Sequence, residues 1–521
     1  MAPGVPFAYA GRQGARRGRA RGMAMDRTAP AAAASVRLPV PRSYAGAALA
    51  AVLAITALRL IWLAVQPADL YPDEAQYWFW AQHPALGYYS KPPLLAWLIA
   101  LTTGLFGNSE FAVRLSAPLL HAGAAFFVYA VAVRLYDART GFWSALAYAS
   151  LPGVSASAFI ISTDAPLLLL WSAALYAFLR AREDGGRPWW LLVGVAVGLG
   201  LLAKYAMAYW VLSALAFVLS DRAERRHLAP LLAALGLAFA IYAPNLWWNG
   251  QHGFVSYLHT EDNADLTGPL FHPHALFQFL ASQFAVFGPL FFAALMAMPA
   301  ASRFLAEPRA RLLAGFALPT LVIMLVLSFL SRAEANWAAP AYVSATVLVV
   351  RWMFASGWRR LLPLSVALHL GAALVAFGAP AALAALGRPL PAKYDILHRL
   401  RGWRILGREV GAVLARHPGL HLLADDREVL AALIYYVRPH PFDAAKWDGA
   451  RLVKDQWDLT NDLSNYRGDS FLLVSEHDLA GEMQPSFASI EPIGALIVPI
   501  GPGAARHYTL YLARDFQGYR R

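Results

Sequence analysis

The chain has 521 residues, 58% of them hydrophobic and only 15% charged, well under the roughly 25% charge of a soluble domain, which argues against a single water-soluble catalytic domain. Its formal charge of +12 does not point to nucleic acid, because the basic residues fall between apolar runs instead of gathering on one face. The absence of cysteine removes disulfides, thiolate nucleophiles, Fe–S centres and cysteine zinc sites.

In chain order, residues 1–43 form a basic arm carrying Arg12, Arg16, Arg17, Arg19, Arg21, Arg27, Arg37 and Arg42. A spanning helix needs about 20 mostly apolar residues. That yardstick predicts eleven transmembrane helices, at 44–65, 112–133, 142–161, 165–179, 189–203, 205–220, 228–246, 274–298, 312–330, 337–350 and 361–384. The first run lacks a convincing cleavage site and reads as a retained span. With the N-terminus in the cytoplasm, the inside loops collect Arg134 and Arg139, then Arg180, Arg182 and Arg187, Arg222, Arg225 and Arg226, Arg303, Arg309 and Arg311, and Arg351, Arg359 and Arg360. Between the first and last spans, the opposite side keeps only Lys91, Arg114, Lys204 and Arg332, the bias that the positive-inside rule predicts for a multi-pass membrane protein.

The expected fold is therefore mainly α, a polytopic helical bundle over 44–384, followed by a soluble mixed α/β domain over 385–521 on the outer, periplasmic side. Short apolar runs at 471–474, 495–500 and 508–513 predict strands, and 427–437 predicts a helix. Trp403, Tyr435, Tyr436, Trp457 and Tyr466 fit a packed core or a glycan grip equally.

The informative stretch is the long outer loop 66–111. Pro72 opens a short helix with Asp73 and Glu74 in its first turn and Tyr77, Trp78, Phe79 and Trp80 behind them, a pattern that also suits an acid-capped interfacial helix. Tyr88, Tyr89 and Lys91 precede Pro92 and Pro93, which keep the lysine out of a regular helix. Acid, cation and aromatic surface together suit a substrate with a greasy tail and a charged head. Other outer turns add Asp164, which caps a helix or meets substrate, and Lys204, whose burial at membrane level demands an anion. Arg332, Glu334 and Asn336 follow, with Arg332 and Glu334 either a mutual pair or part of the cavity. The outer loop around 245–262 offers His252, His259, Glu261 and Asp262 without any dedicated metal spacing, so a divalent metal is neither required nor assigned.

The segments PDEAQYWFWAQ (72–82), GYYSKPPLLAWLI (87–99) and FGNSEFAVRL (106–115) together resemble the first outer loop of family 39 glycosyltransferases, the group of protein mannosyltransferases and bacterial aminoarabinose transferases for lipid A. ISTDAPLLLLW (161–171), LLAKYAMAY (201–209), WWNGQHGFVSY (247–257) and AEANWAAPAY (333–342) extend the resemblance over roughly 45–350. The resemblance implies a GT-C fold, a periplasmic active site and a polyprenyl-phosphate sugar donor. It matches Asp73 to the catalytic aspartate, Glu74 to its acidic neighbour and Lys91 to a basic position near the donor phosphate. Lys204 and Arg332 are expected beside that phosphate, with Tyr88, Tyr89, Asp164, His252, Glu334 and Asn336 contacting substrate. The expected partners are the lipid-linked donor, the bilayer and a lipid A, glycan or protein acceptor, with inverting single displacement as the mechanism. The competing class is a transporter or flippase of lipid-linked sugars, but this sequence shows none of the paired internal repeats such proteins carry.

Overall fold

A computed structural model describes residues 42–449 and 451–519; the arm 1–41 lies outside them. The first span is α1 (Arg42–Val65). The loop after it holds α2 (Pro72–Gln82), entered through Pro72, and α3 (Leu94–Phe106), which starts directly after Pro93. Next come α4 (Glu110–Arg114) with α5 (Ser116–Leu135), then α6 (Ala138–Ser150) and α7 (Pro152–Phe159). Then follow α8 (Asp164–Asp184), α9 (Arg187–Ala203), α10 (Ala208–Ser220), α11 (Leu228–Gln251) and α12 (Val255–Ala264). The bundle closes with α13 (Pro273–Val286), α14 (Pro289–Ala297), α15 (Ser302–Leu305), α16 (Pro308–Leu330), α17 (Ala339–Ala355), α18 (Leu361–Ala373) and α19 (Ala379–Ala385).

The expected count of eleven spans is corrected. Among the described residues, seven helices are long and apolar enough to cross a membrane, or eight if α13 and α14 count as one broken span. The physical reasons are chain breaks inside two apolar runs and the shortness of two others. Pro152 has no amide hydrogen to continue α6 and splits the run 142–161 into two short helices. Lys204 adopts an extended backbone, φ −159° and ψ 135°, and separates α9 from α10. At about 1.5 Å per residue, the 17 residues of α9 rise roughly 25 Å, short of the roughly 30 Å hydrocarbon core. The run 274–298 bends by 119° between α13 and α14. Gly288 there has φ +88°, and a Cβ on it would lie 1.9 Å from His369 Nε2, so only glycine fits the corner.

Ion pairs and ring contacts gather the interhelical arginines at one end of the bundle. Arg134 bonds Asp184 at 2.5 Å, Arg182 Nε bonds Glu224 at 2.8 Å, and Arg351 lies 5.2 Å from the Tyr136 ring. Arg139 stacks on Phe354 at 4.6 Å.

The C-terminal part contains α20 (Trp403–Arg416), β1 (His421–Ala424), α21 (Arg427–Tyr436), β2 (Ala445–Lys446), α22 (Gln456–Thr460), β3 (Phe471–Ser475), α23 (Ala480–Met483), β4 (Phe487–Gly501) and β5 (Ala504–Phe516). The strands form one mixed sheet in the order β2-β1-β3-β5-β4, parallel at β2-β1-β3 and antiparallel at β3-β5-β4. This part shares its core with the loop helices of the bundle. Trp78 of α2 meets Tyr435 edge-on at 4.9 Å, and Phe79 packs on Trp457 at 5.3 Å. Trp403, Tyr435 and Trp457 are all buried, so these aromatics pack a core. Two backbone ties reinforce the seam: Leu70 N donates to Tyr436 Oη at 2.7 Å, and Asp69 N to the Leu400 carbonyl at 2.9 Å.

Candidate active site

At the end of the bundle opposite the arginines, a cavity of about 480 Å³ is walled by apolar side chains including Leu151, Val154, Ile160, Leu168 and Val286. Its charged lining comes from four separate stretches of chain: Asp73, Glu74 and Lys91 from the loop 66–111, Asp164 from the start of α8, Lys204 from the α9–α10 break, and Glu334, beside Asn336, from the turn before α17.

The two acids of α2 point to different tasks. Glu74 is 1% exposed and holds Arg114 in a buried ion pair at 2.6 Å, with Arg114 itself fully buried. Its Oε1 also accepts from Ile161 N at 2.9 Å, and its Oε2 from Tyr71 N at 2.9 Å. Arg114 completes the cluster by donating to the carbonyls of Asp69 at 2.7 Å and Ala68 at 3.3 Å. Every lone-pair direction of Glu74 that the fold can supply with a donor is thus in use, and the carboxylate ties α2, α4 and the approach to α8 together. Asp73 is 41% exposed at the cavity, and its Oδ1 accepts from Arg427 Nη1 at 2.8 Å.

Asp164 and Lys204 form the second charged group. Lys204 Nζ lies 2.7 Å from Asp164 Oδ1, while Asn336 Nδ2 donates to Asp164 Oδ2 at 2.6 Å. The anion that Lys204 needs at that depth is therefore supplied by Asp164. Lys91 is different: among the described residues its ammonium makes no hydrogen bond or ion pair. Burial, and then repulsion from Lys204, lower its pKa from the usual lysine range to about 8.

The remaining candidates stand apart from the cavity lining. Arg332 is exposed. Tyr88 braces the loop, stacked on Trp80 at 4.7 Å with its hydroxyl donating to the Trp80 carbonyl at 3.0 Å. Tyr89 N donates to Gln456 of α22 at 2.8 Å, and its ring contacts His259 at 5.1 Å. His252 stacks on Trp248 at 4.0 Å and lines, with Tyr88, a neighbouring aromatic cavity of about 390 Å³. His252, His259, Glu261 and Asp262 do not converge: among the described residues no cluster of three or more His, Asp or Glu side chains is arranged to hold a metal ion. Burial and the Lys91 charge hold His259 at a pKa of about 4, so its imidazole is neutral at physiological pH.

The loop carrying Lys91 is pressed on α11. Asn245 Nδ2 donates to the Leu86 carbonyl at 2.7 Å, and a Cβ on Gly87 would fall 2.4 Å from the Trp248 ring. Gly87→Ala is therefore expected to destabilise this loop by about 1–3 kcal/mol, the usual cost of overpacking, and to lower the thermal midpoint of the purified protein. An unchanged midpoint would mean that Trp248 swings aside freely.

Two residues of this region escaped the sequence reading. Arg114 sits inside FGNSEFAVRL but registers there only as a loop charge, and Arg427 lies more than 350 residues from its partner (|i−j| = 354). Neither carries a local signal; both need the folded chain.

Residues 90–248 match the family model described as dolichyl-phosphate-mannose-protein mannosyltransferase. Lipid A galacturonosyltransferase RgtD of Rhizobium johnstonii is 34% identical over 389 residues, which span 74% of this chain and 82% of that protein. The chain belongs to the GT-C superfamily of membrane glycosyltransferases. Within the superfamily, the undecaprenyl phosphate-α-4-amino-4-deoxy-L-arabinose arabinosyl transferase of Pseudomonas aeruginosa (strain UCBPP-PA14) is 33% identical over 203 residues, 33% of this chain and 36% of that protein. The crystal structure of ArnT from Cupriavidus metallidurans bound to undecaprenyl phosphate superposes with a TM-score of 0.61 at 16% identity, covering 91% of this chain and 98% of that one, a likeness of fold. The GT-C assignment accounts for a multi-pass helical bundle joined to a mixed α/β part, with the charged cavity lined by the bundle and its loops.

Proposed function

We propose that this GT-C enzyme moves a sugar from a polyprenyl-phosphate carrier to lipid A at the periplasmic face of the bacterial inner membrane. The observation that carries the reading is the convergence of Asp73, Lys91, Asp164 and Lys204 on one cavity, at the end of the bundle remote from the arginine cluster. By the positive-inside rule the arginine end is cytoplasmic, so the cavity opens on the opposite face. The lipid A acceptor is supported by the R. johnstonii relative, similar over most of its length.

In the proposed reaction an acceptor hydroxyl oxygen attacks C1 of the sugar. The bond from C1 to the phosphate oxygen breaks with its electron pair on the phosphate, and the hydroxyl proton passes to Asp73. Configuration inverts because attack and departure take opposite faces. Lys91, the cation without a protein partner, stabilises the charge that grows on the leaving phosphate. Lys204 acts through Asp164 to keep that wall of the cavity in place. Glu74 and Arg114 are positioning residues that fix the first turn of α2 and with it Asp73. Arg332 has no part in phosphate binding in this scheme.

Purified enzyme given a polyprenyl-phosphate-linked sugar and lipid A should release free polyprenyl phosphate in step with glycosylated lipid A. Movement of an intact donor across vesicles without release would replace the transferase reading with a transporter.

Lys91 also sets an expected pH dependence. Because its pKa is lowered to about 8, its charge is full below that value and is lost as pH rises through it. The kcat/KM for donor should therefore fall above about pH 8. kcat should hold to higher pH, since bound phosphate favours the charged form. Lys91→Arg, charged throughout, should flatten this alkaline limb, and its persistence in that variant would remove Lys91 from donor binding.

A further inference from the structure

The proposed base stands in an ion pair with a residue of the C-terminal part. Arg427 Nη1 donates to Asp73 Oδ1 at 2.8 Å and to Gln76 Oε1 at 2.6 Å. Nη2 lies 3.8 Å from Glu428 Oε1, beyond hydrogen-bond length. Among the described residues, neither Nε nor Nη2 makes a hydrogen bond, although a guanidinium carries five N–H donors in a planar fork suited to a carboxylate or phosphate. The backbone behind this side chain is firmly held. Arg427 is the first residue of α21, whose Asp426 cap accepts from Glu428 N at 2.7 Å and Val429 N at 3.0 Å, and α21 is packed on α2 through Trp78 and Tyr435. Arg427 and Asp73 are 33% and 41% exposed, so solvent reaches both.

While Asp73 Oδ1 accepts from Arg427, that oxygen is turned to the guanidinium and away from an incoming hydroxyl. Gln76, 3% exposed, offers the guanidinium a second fixed partner that remains when Asp73 lets go. On the reading of Asp73 as base, we infer that Arg427 is a specificity-determining residue that receives an oxyanion carried by a substrate and, in doing so, releases Asp73 for catalysis. Two sources share that chemistry: the carboxylate of a uronic-acid donor sugar and a phosphate on the acceptor glycolipid. Without the oxyanion Asp73 Oδ1 stays engaged by Arg427, which also limits activation of water against the donor. In that side reaction a water oxygen would attack C1, its proton would go to Asp73, and polyprenyl phosphate would leave with the bonding electrons.

The test uses the full-length purified enzyme with two pairs of substrates. A uronosyl polyprenyl phosphate is compared with its neutral hexosyl counterpart, and phosphorylated lipid A with the same lipid after phosphatase treatment. Wild type is expected to prefer the anionic member of one pair, and which pair identifies the source. Arg427→Gln should reduce that preference by about 10- to 100-fold, the range for a hydrogen bond to a charged group, and raise donor hydrolysis relative to transfer. Arg427→Lys should keep part of the preference, and Arg408→Gln, an exposed arginine of α20 paired with Glu409, should behave as wild type. No preference in wild type for either anion, or an equal preference in Arg427→Gln, overturns the proposal. So does hydrolysis that falls in parallel with transfer, which marks Arg427 as a structural support alone. Near-normal turnover of Asp73→Asn in the same assay would reject the base while leaving the preference of Arg427 variants for or against the oxyanion measurable.

Discussion

Asp73→Asn is expected to lower kcat by about 100- to 10,000-fold, the contribution of a positioned general base, while the protein remains folded. The substitution is nearly isosteric, and the amide oxygen still accepts from Arg427 Nη1, so the 2.8 Å contact across the seam has a partner in the variant. What disappears is the capacity to take a proton. The size of the loss also reports on the acceptor. A sugar hydroxyl must lose its proton as the new bond forms, whereas an acceptor phosphate is already ionised and needs no base. A fall of under about tenfold, in enzyme that elutes as a single species and retains its thermal midpoint, would leave Asp73 only an orienting role and point to a phosphate as nucleophile.

The cavity residues could be read from the chain because charge is costly in an apolar sequence. Asp164 and Lys204 stand at the ends of long hydrophobic runs, and each had to meet a counter-charge; the fold pairs them at 2.7 Å. Lys91 stood out for the same reason, held outside a helix by Pro92 and Pro93. The argument fails in polar surroundings, where charges cost little and one arginine looks like another. Arg427 lies in such a stretch and acquires meaning only when α21 packs on α2. Aromatic residues carry less information: Tyr88 and His252 are expected at substrate, and the fold stacks them on Trp80 and Trp248 beside a neighbouring cavity. In the fold, hydropathy found the apolar runs, and the break at Lys204 between the runs 189–203 and 205–220, but not the breaks within runs at Pro152 and Gly288. The helix expected at 427–437 corresponds to α21, and the three apolar runs of the C-terminal part lie within β3, β4 and β5. β1 and β2, with four and two residues, are too short to leave an alternating pattern.

Breaking the Glu74–Arg114 pair should have the largest effect on stability. Removing either charge leaves the other buried without a counter-ion, at a cost of about 3–5 kcal/mol, so Arg114→Met is expected to yield little folded protein and a markedly lower thermal midpoint. Glu74→Gln should be milder, since its amide oxygen still accepts a backbone N–H. Replacing a buried ion pair by apolar residues is often close to neutral, which gives the double variant Glu74→Leu with Arg114→Met diagnostic value. Here rescue is not expected. Glu74 also accepts from Tyr71 N and Ile161 N, and Arg114 also donates to the carbonyls of Ala68 and Asp69. The double change strands those buried backbone groups, each worth about 1–3 kcal/mol when left unpaired. A double variant as stable as wild type would show that the backbone contacts contribute little and that α2 is held by its aromatic packing instead. If Glu74 only positions Asp73, activity in Glu74→Gln should track the folded fraction, whereas a much steeper loss of kcat in fully folded enzyme would return Glu74 to the chemistry itself.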